Sequence, residues 1–425
     1  MSWARYYAIK SYLFSAIWTA PVVALLLEQM TFRIAYGFDL DFGWIPGFVF
    51  DHDGTVAVAD YVIGTSSAFV VFTFGSMLVA IQVASGQMTP RIIATALLRD
   101  KAIRRAVGLF VYTLLLAIAV KARAADISHS LISLTGLLGL LNVVVFLFLI
   151  DYAARLLRPV AIVWRIAQRG LAVIEDVYPD PIPAVPAIAP VAPGLGPPDR
   201  TIAHRGNSAT MIALHLKALI DEARRADVVL EMLPRVGDFV ARDEPLFHVY
   251  GAGAARVDAP RLRGQVAFGP ERTIEQDSTF AFRVIIDIAI KALSPAINDP
   301  TTAVIAIDQL HRLLRTVAAR KLHDERIFDA DGRFRLLLRT PNWPDFVQLT
   351  FSEIRQYGAG NLQVARRLRS MLETLLNSVP ESRRLPLRQE LALLDRTVER
   401  LYAFPEELAL ARRADSQGLG GAADP

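Results

Sequence analysis

The chain has no cysteine, only seven histidines in 425 residues, and no apolar run long enough to cross a bilayer after about residue 152. The first absence removes disulfides, thiolate metal sites and cysteine nucleophiles together, and it fits a reducing compartment. The histidines are scattered: His204, His215, His248, His311 and His323 read as surface or packing residues. Metal catalysis needs a denser set of imidazoles and carboxylates with an open coordination position. Phosphate binding by a loop needs a glycine-rich turn feeding a helix. Neither pattern occurs, nor does a Ser-His-Asp signature or a nucleophile elbow. No catalytic residue, metal or cofactor is assigned, and an enzyme is not the favoured reading. The net charge of +4, from 46 basic minus 42 acidic residues, is too near balance for a nucleic-acid partner. Acids interleave with Arg366-Arg367 and Arg383-Arg384, so these pairs read as solvated helix faces.

What is present comes first as four apolar stretches, Tyr12–Leu27, Tyr61–Val83, Val107–Val120 and Leu131–Ile150. A bilayer core of about 30 Å needs ~20 mostly apolar helical residues. The second and fourth stretches meet that length directly, the first and third only with their neighbours. Arg5 and Lys10 precede the first, and Arg91, Arg99, Lys101, Arg104 and Arg105 lie between the second and third. Arg155, Arg158, Arg165 and Arg169 follow the fourth, whereas the first loop is acidic. Retention of basic flanks on the inside predicts four spans, both termini cytoplasmic, and the lipid bilayer as partner. No small-x-small cleavage pattern follows the first stretch. The loop Thr31–Asp60 carries Gly37, Gly43-Trp44, Pro46-Gly47 and Asp51-His52-Asp53-Gly54, which predict exposed turns rather than a cation site.

The second stretch is unusually polar. Thr65, Ser66, Thr73, Ser76 and Gln82 either bond within the bundle, with Gly64 and Gly75 allowing close helix approach, or line a pore. Pro90 predicts a break there, followed by a basic amphipathic helix over Arg91–Arg105.

Residues 1–175 are thus expected to form the transmembrane domain, its last helix continuing through Arg155–Ile174. Residues 176–200 form a proline-rich tether, residues 201–265 a small β-rich subdomain, residues 266–405 an α+β helical subdomain and residues 406–425 a disordered tail. Alternation predicts strands at Ala209–Leu214 and Val228–Leu233, with a helix at Leu216–Arg225 between them. Gly237-Asp238-Phe239-Val240 followed by Pro245-Leu246-Phe247 reads as a hairpin, half of a barrel-sandwich without its modified lysine. Arg333–Arg339 reads as a strand that Phe346–Phe351 pairs with. Leu362–Val379 and Leu385–Tyr402 read as helices whose apolar stripe serves a core or a subunit contact.

The densest motif runs from Phe268 to Phe280 and feeds a helix at about Phe280–Leu293. Asp299 and Pro300 then suit the N-cap and first position of another. Arg272, Glu275, Asp277, Arg283, Asp287, Asn298 and Asp299 form either a network fixing the turn between helices or a ligand pocket.

Gln-Met-Thr-Pro-Arg (87–91), Gly-Asp-Phe-Val (237–240), Glu-Arg-Thr-x-x-Gln-Asp (271–277) and Ala-Leu-Ser-Pro-Ala-Ile-Asn-Asp-Pro-x-Thr-Ala (292–303) together resemble the domain of unknown function 2254 family of bacterial membrane proteins. The resemblance implies an inner-membrane α-helical protein with four transmembrane helices plus a cytoplasmic α+β domain containing a small β-sandwich-like element. It implies little about chemistry. The leading expectation is a homo-oligomeric pore or transporter gated by its cytoplasmic domain. The alternative is a membrane-anchored ligand sensor or scaffold.

Overall fold

The computed structural model describes residues 3–7, 9, 19–37, 52–87, 100–123, 129–156, 158–183, 194–322 and 326–421. Two compact units emerge: residues 11–162, and residues 1–10 together with 163–425.

The first unit contains α1 (Thr19–Gly37), α2 (His52–Gln87), α3 (Lys101–Ala122) and α4 (His129–Leu156). Among the described residues three helices are long and apolar enough to cross a membrane, Asp53–Val79, Lys101–Ala122 and Ser130–Arg155. Four were expected. The described part of the first stretch is α1, which carries Glu28 and Arg33 and does not reach that standard, and Tyr12–Trp18 lie outside the described residues. Large apolar side chains point outward, with Val71, Leu78, Val144 and Leu147 more than 60% exposed, as suits hydrocarbon rather than water.

Several local expectations change. Thr31–Gly37 and His52–Asp60 are helical rather than turns, and residues 38–51 lie outside the described set. A 36-residue α2 is ~54 Å long at 1.5 Å per residue and overhangs the bilayer core. Of the expected amphipathic helix, Arg91–Arg99 is not described, and Lys101–Arg105 forms the first turn of α3. Asp100 caps that turn by accepting from the backbone N–H groups of Ala102 and Ile103 at 2.8 and 3.3 Å. Close packing does not use Gly64 or Gly75, which have no neighbour where a Cβ would stand. Gly139 instead lies against Val62, Gly136 against Val58 and Gly108 against Ala20.

The second unit opens with helical residues 3–7, resumes within α5 (Pro159–Val177) and continues as β1 (Arg200–Ala203), β2 (Ala209–Leu214), α6 (Leu216–Ala226), β3 (Val229–Met232), β4 (Phe239–Val240), β5 (Pro245–Tyr250), α7 (Ala259–Arg263) and β6 (Val266–Gly269). There follow α8 (Ser278–Ala292), α9 (Pro300–Ala318), β7 (Arg326–Phe328), β8 (Phe334–Leu338), α10 (Trp343–Gly358), α11 (Leu362–Ser378), α12 (Arg384–Leu401) and α13 (Pro405–Ala411). Helix α4 does not run on through Ile174: it ends at Leu156, and α5 restarts at Pro159, whose fixed φ and missing N–H suit a first helical position.

Five strands order as β1-β5-β3-β8-β7, and three as β4-β2-β6. The expected hairpin is absent. Strands β4 and β5 part into different sheets, β4 against β2 and β5 between β1 and β3. Both sheets bury side chains in one core, with Met211, Val240 and Val266 from one and Leu230, Phe247 and Leu336 from the other. Strand β8 joins β3 in parallel, Leu230 opposite Leu336, so the β-rich part reaches beyond residue 265. Phe346–Phe351 is helix, not a partner strand: a capping box between Asn342 and Asp345, with Pro344 at the start, nucleates α10.

Helices α8, α9, α10, α11 and α12 form the larger core. Gly170 of α5 sits against Ala281 and Leu313, and the buried ring of Tyr178 packs edge-on to Phe346. The apolar stripe of α11 and α12 is mostly core, since Leu368, Leu372, Leu375, Leu394 and Val398 are buried. The arginine pairs are not solvated as expected: Arg366, Arg367 and Arg383 are each less than a tenth exposed. Of the tail expected at residues 406–425, residues 406–421 are described, starting within α13, and 422–425 lie outside the described residues. Asp415 accepts from the backbone N–H groups of Gln417, Gly418 and Gly420, and Arg366 donates to the carbonyls of Arg413 and Gly421.

Candidate functional site

The polar residues of α2 do not share one lining. Ser66 is fully buried and accepts from Asn142 Nδ2 at 3.0 Å, while Thr113 Oγ1 donates to Asn142 Oδ1 at 3.5 Å. This cluster ties α2, α3 and α4 together inside the apolar bundle, where hydrogen bonds have no competing water. Thr65, Thr73 and Ser76 turn their hydroxyls back to carbonyls of their own helix at 2.6–3.3 Å. Thr73 and Ser76 border a cavity of about 200 Å³, otherwise walled by apolar groups such as Phe72, Phe146 and Leu149. Gln82 is exposed. Helical spacing puts it on the side of α2 away from Ser66 and Thr73. Asn142 escaped notice in the sequence because it is one amide within a long apolar run.

The 271–303 motif separates into four local arrangements. Arg272 Nε donates to the carbonyl of Gly237 at 2.6 Å. Gly237 has φ +97°, and a Cβ there would stand 2.5 Å from Asp277 Oδ2. The Gly-Asp turn and the Glu-Arg-Thr segment are therefore one packed corner, which explains their joint occurrence. Asp277 caps α8 through the Phe280 N–H at 3.0 Å. It is buried, and its Oδ2, like Thr273 Oγ1, has no hydrogen-bond partner. Burial raises the Asp277 carboxyl pKa, against the lowering pulls of the Thr279 hydroxyl and the Arg272 charge. Second, Glu275 accepts from the Tyr7 hydroxyl, joining the motif to residues 3–7, and Trp3 there stacks on His215 at 5.2 Å. Third, Arg283 bridges Asp287 on its own helix and Glu353 on α10. Last, Asn298 adopts φ +47°, and Asp299 caps α9 by accepting from the Thr302 N–H at 3.0 Å. The left-handed residue and the cap turn the chain from α8 into α9. Caps, turns and ion pairs occupy most of these side chains, and the unpartnered Asp277 Oδ2 and Thr273 Oγ1 stand apart from them.

A further constellation went unread in the sequence. Helix α9 presents His311, Arg312 and Arg315 to a cleft of about 550 Å³ that Arg320, just past its end, also lines, with Glu175 of α5 and Asp308 at its margin. Spacings of three and four residues bring His311 beside Arg315, and Arg312 beside Arg315. Asp308 is engaged by Arg367 at 2.6 Å, and Glu175 lies 3.5 Å from Arg320, which also donates to the carbonyl of Pro179. Gln168, with its amide turned to face Arg312, accepts from both terminal guanidinium nitrogens at 2.8 Å. Arg315 is exposed, and among the described residues no carboxylate pairs with it. His311 Nε2 is buried without a partner. Desolvation, with the nearby charges of Arg367 and Arg315, pushes the imidazole down to about 4, so it is neutral at pH 7. The cleft combines the exposed charge of Arg315 and that of Arg312, which Gln168 holds in place, with a neutral imidazole, an arrangement that recognises anions. The readable signal was the His-Arg-x-x-Arg run on one side of a helix that is otherwise core. Among the described residues no group of three His, Asp or Glu side chains is placed to hold a metal.

No solved structure matches the chain. Uncharacterized proteins of Mycobacterium bovis and Mycobacterium tuberculosis are each 26% identical to it, over 95% of this chain and 80% of theirs. A family model described as predicted membrane protein matches residues 10–374. With that span covered and three apolar helices long enough to cross a bilayer, the chain belongs to the domain of unknown function 2254 family of predicted membrane proteins.

Proposed function

We propose that the protein is a membrane-anchored receptor for an anionic ligand, held in the cleft on α9. The apolar helices anchor it, and the basic flanks of the spans support a second unit on the cytoplasmic side of a bacterial inner membrane. The observation that carries this reading is the placement of Arg312, Arg315 and His311 around one cleft of about 550 Å³, with no carboxylate paired to Arg315 among the described residues. Two guanidinium groups supply charge and paired donors, and the imidazole adds a donor without adding charge. The ligand class is a compact polyanion such as a phosphate or pyrophosphate group.

The pore reading receives less support. Ser66 is bound into the Asn142 cluster, and Thr65, Thr73 and Ser76 satisfy their own helix. The test runs on the full-length protein in detergent at pH 7.5, with thermal unfolding followed as inorganic pyrophosphate is added. Saturation at 100 times Kd contributes about 2.7 kcal/mol to the folded state. The stabilisation is expected to disappear in Arg312→Gln and Arg315→Gln and to persist in Arg388→Gln, a surface arginine paired with Glu381. Equal stabilisation of all four proteins would sink the receptor reading. Flux through liposomes of the same preparation, lost in Ser66→Leu, would restore the pore.

A further inference from the structure

A second site belongs to the membrane unit. Between α1 and α3 runs a groove of about 590 Å³. One end is basic, formed by Lys101, Arg104 and Arg105 in the first turn of α3. Its body is apolar: Ala20 and Gly108 form the floor, and Val23 and Leu27, each about half exposed, form one wall. The far end closes where the hydroxyls of Thr31 and Tyr112 meet at 2.9 Å.

The basic end is not explained by helix stability. Cations in the first turn oppose the helix dipole, whose positive end already lies there. Asp100 is occupied in capping that turn and in accepting from the Tyr152 hydroxyl at 2.8 Å. Arg104 is held in place by its bond to Thr19 Oγ1 at 2.6 Å. Lys101 and Arg105 are exposed, and among the described residues no carboxylate pairs with them. The result is a focus of positive charge at the end of a candidate span, where lipid phosphates lie.

The groove also has the depth of a single leaflet. From Lys101 to Tyr112 along α3 is ~16 Å, about half of the ~30 Å hydrocarbon core. A charged mouth at the interface and an apolar trough reaching the bilayer midplane match one headgroup and one acyl chain.

We propose that this groove holds an anionic glycerophospholipid, its phosphate on Lys101, Arg104 and Arg105 and one acyl chain lying along α1. The site is separate from the cleft on α9, so either can fail without the other.

The experiment is native mass spectrometry of the full-length protein, delipidated in detergent and then titrated with dioleoyl phosphatidylglycerol or dioleoyl phosphatidylcholine. The expected result is preferential retention of phosphatidylglycerol at one site per chain. A basic residue near the surface contributes about 1 kcal/mol to anionic-lipid binding, which is about fivefold in affinity. Lys101→Gln and Arg105→Gln are each expected to lower the preference about fivefold. Arg155→Gln, which alters a span-end arginine paired with Asp151, leaves it unchanged. Val23→Trp, at a position facing both groove and lipid, fills the trough and removes retention of either lipid while keeping every charge. Equal retention of the two lipids, or a preference untouched by Lys101→Gln and Arg105→Gln, would overturn the proposal. Full retention by a folded Val23→Trp protein would reduce it to surface electrostatics and overturn the groove.

Discussion

The two units treat their polar side chains in different ways. In the membrane unit most buried polar groups are neutral and short: Ser66, Thr113 and Asn142 satisfy one another, and Thr73 and Thr135 return to their own helix, while the buried acid Glu28 accepts from the Gln29 amide at 2.8 Å. In the second unit long charged groups are buried as well as short neutral ones. Arg383 donates to the carbonyls of Val317 and Arg320 at 2.7 and 2.6 Å, lying 5.2 Å from the centre of the Trp343 ring. Arg335 bonds Asp329 and Asp227 at 2.8 and 2.9 Å. An arginine can leave water only where carbonyls or carboxylates replace its hydration, and hydrocarbon offers neither. Two places where basic side chains gather without a carboxylate partner among the described residues are the first turn of α3 (Lys101 and Arg105) and the cleft on α9 (Arg315).

The largest effect is expected where a buried charge closes a helix. Arg383 donates to the carbonyls of Val317 in the last turn of α9 and of Arg320 just past its end. Arg383→Ala is expected to destabilise the second unit by about 4 kcal/mol, from two lost charge-assisted bonds and lost packing on Trp343. Urea unfolding followed by tryptophan fluorescence measures this. A change below about 1 kcal/mol would mean that water substitutes for the guanidinium, and the contrast between the units would narrow. Next comes Gly237→Ala. Its φ of +97° and the crowding against Asp277 and Arg272 predict a loss of about 3 kcal/mol, read in the same transition.

Much of the fold was legible where local rules decide. Strands β2 and β3 and helices α6, α8 and α9 lie close to where alternation, periodicity and the Asp299-Pro300 start place them. What failed depended on partners distant in the chain. The turn chemistry around Gly237-Asp238 is real, but the strands after it separate because β2 claims β4 and β3 claims β5. The parallel pairing of β3 with β8 joins segments about a hundred residues apart. Phe346, Val347 and Phe351 are all buried, and their spacing fits helix as readily as strand, so the capping box at Asn342 was the informative signal. The candidate sites were least visible. An arginine that seals a carbonyl and one that faces a cleft look alike in sequence, and only packing separates Arg383 from Arg315.

Asn142→Leu tests the neutral side of the contrast. It removes the link between α2, α3 and α4 and leaves Ser66 and Thr113 buried without their partner. Bonds between membrane helices average about 0.6 kcal/mol, with a maximum near 1.7, so a loss of about 1 kcal/mol is expected, several times smaller than for Arg383→Ala. Unfolding of the purified protein in mixed detergent and dodecyl sulfate, followed by the helical circular dichroism signal, measures it. A loss as large as that of Arg383→Ala would show that the bundle is held by its polar cluster.

The remaining test is a pH dependence at the cleft. His311 titrates at about 4 in the folded chain, against about 6.5 when unfolded. Between these values the unfolded chain binds the additional proton. This contribution to stability is therefore complete above pH 6.5 and is lost progressively as pH falls towards 4. Arg312, Arg315, Arg320, Glu175 and Asp308 are the other charged groups around the cleft, and Arg367 adds its charge beside His311. An anion in the cleft reverses the sign locally, because it favours the charged imidazole and binds more tightly as pH falls. Sulfate is the suitable probe, since its charge is constant over this range. Melting temperatures from pH 7 to pH 5 are expected to fall less steeply with sulfate than without it, and His311→Gln should remove the difference. Sulfate also stabilises proteins in general by exclusion from their surface, and that part is shared by the variant. If the parent and His311→Gln respond identically at every pH, His311 does not face the ligand, and the charged edge of the second unit is reduced to Arg312 and Arg315.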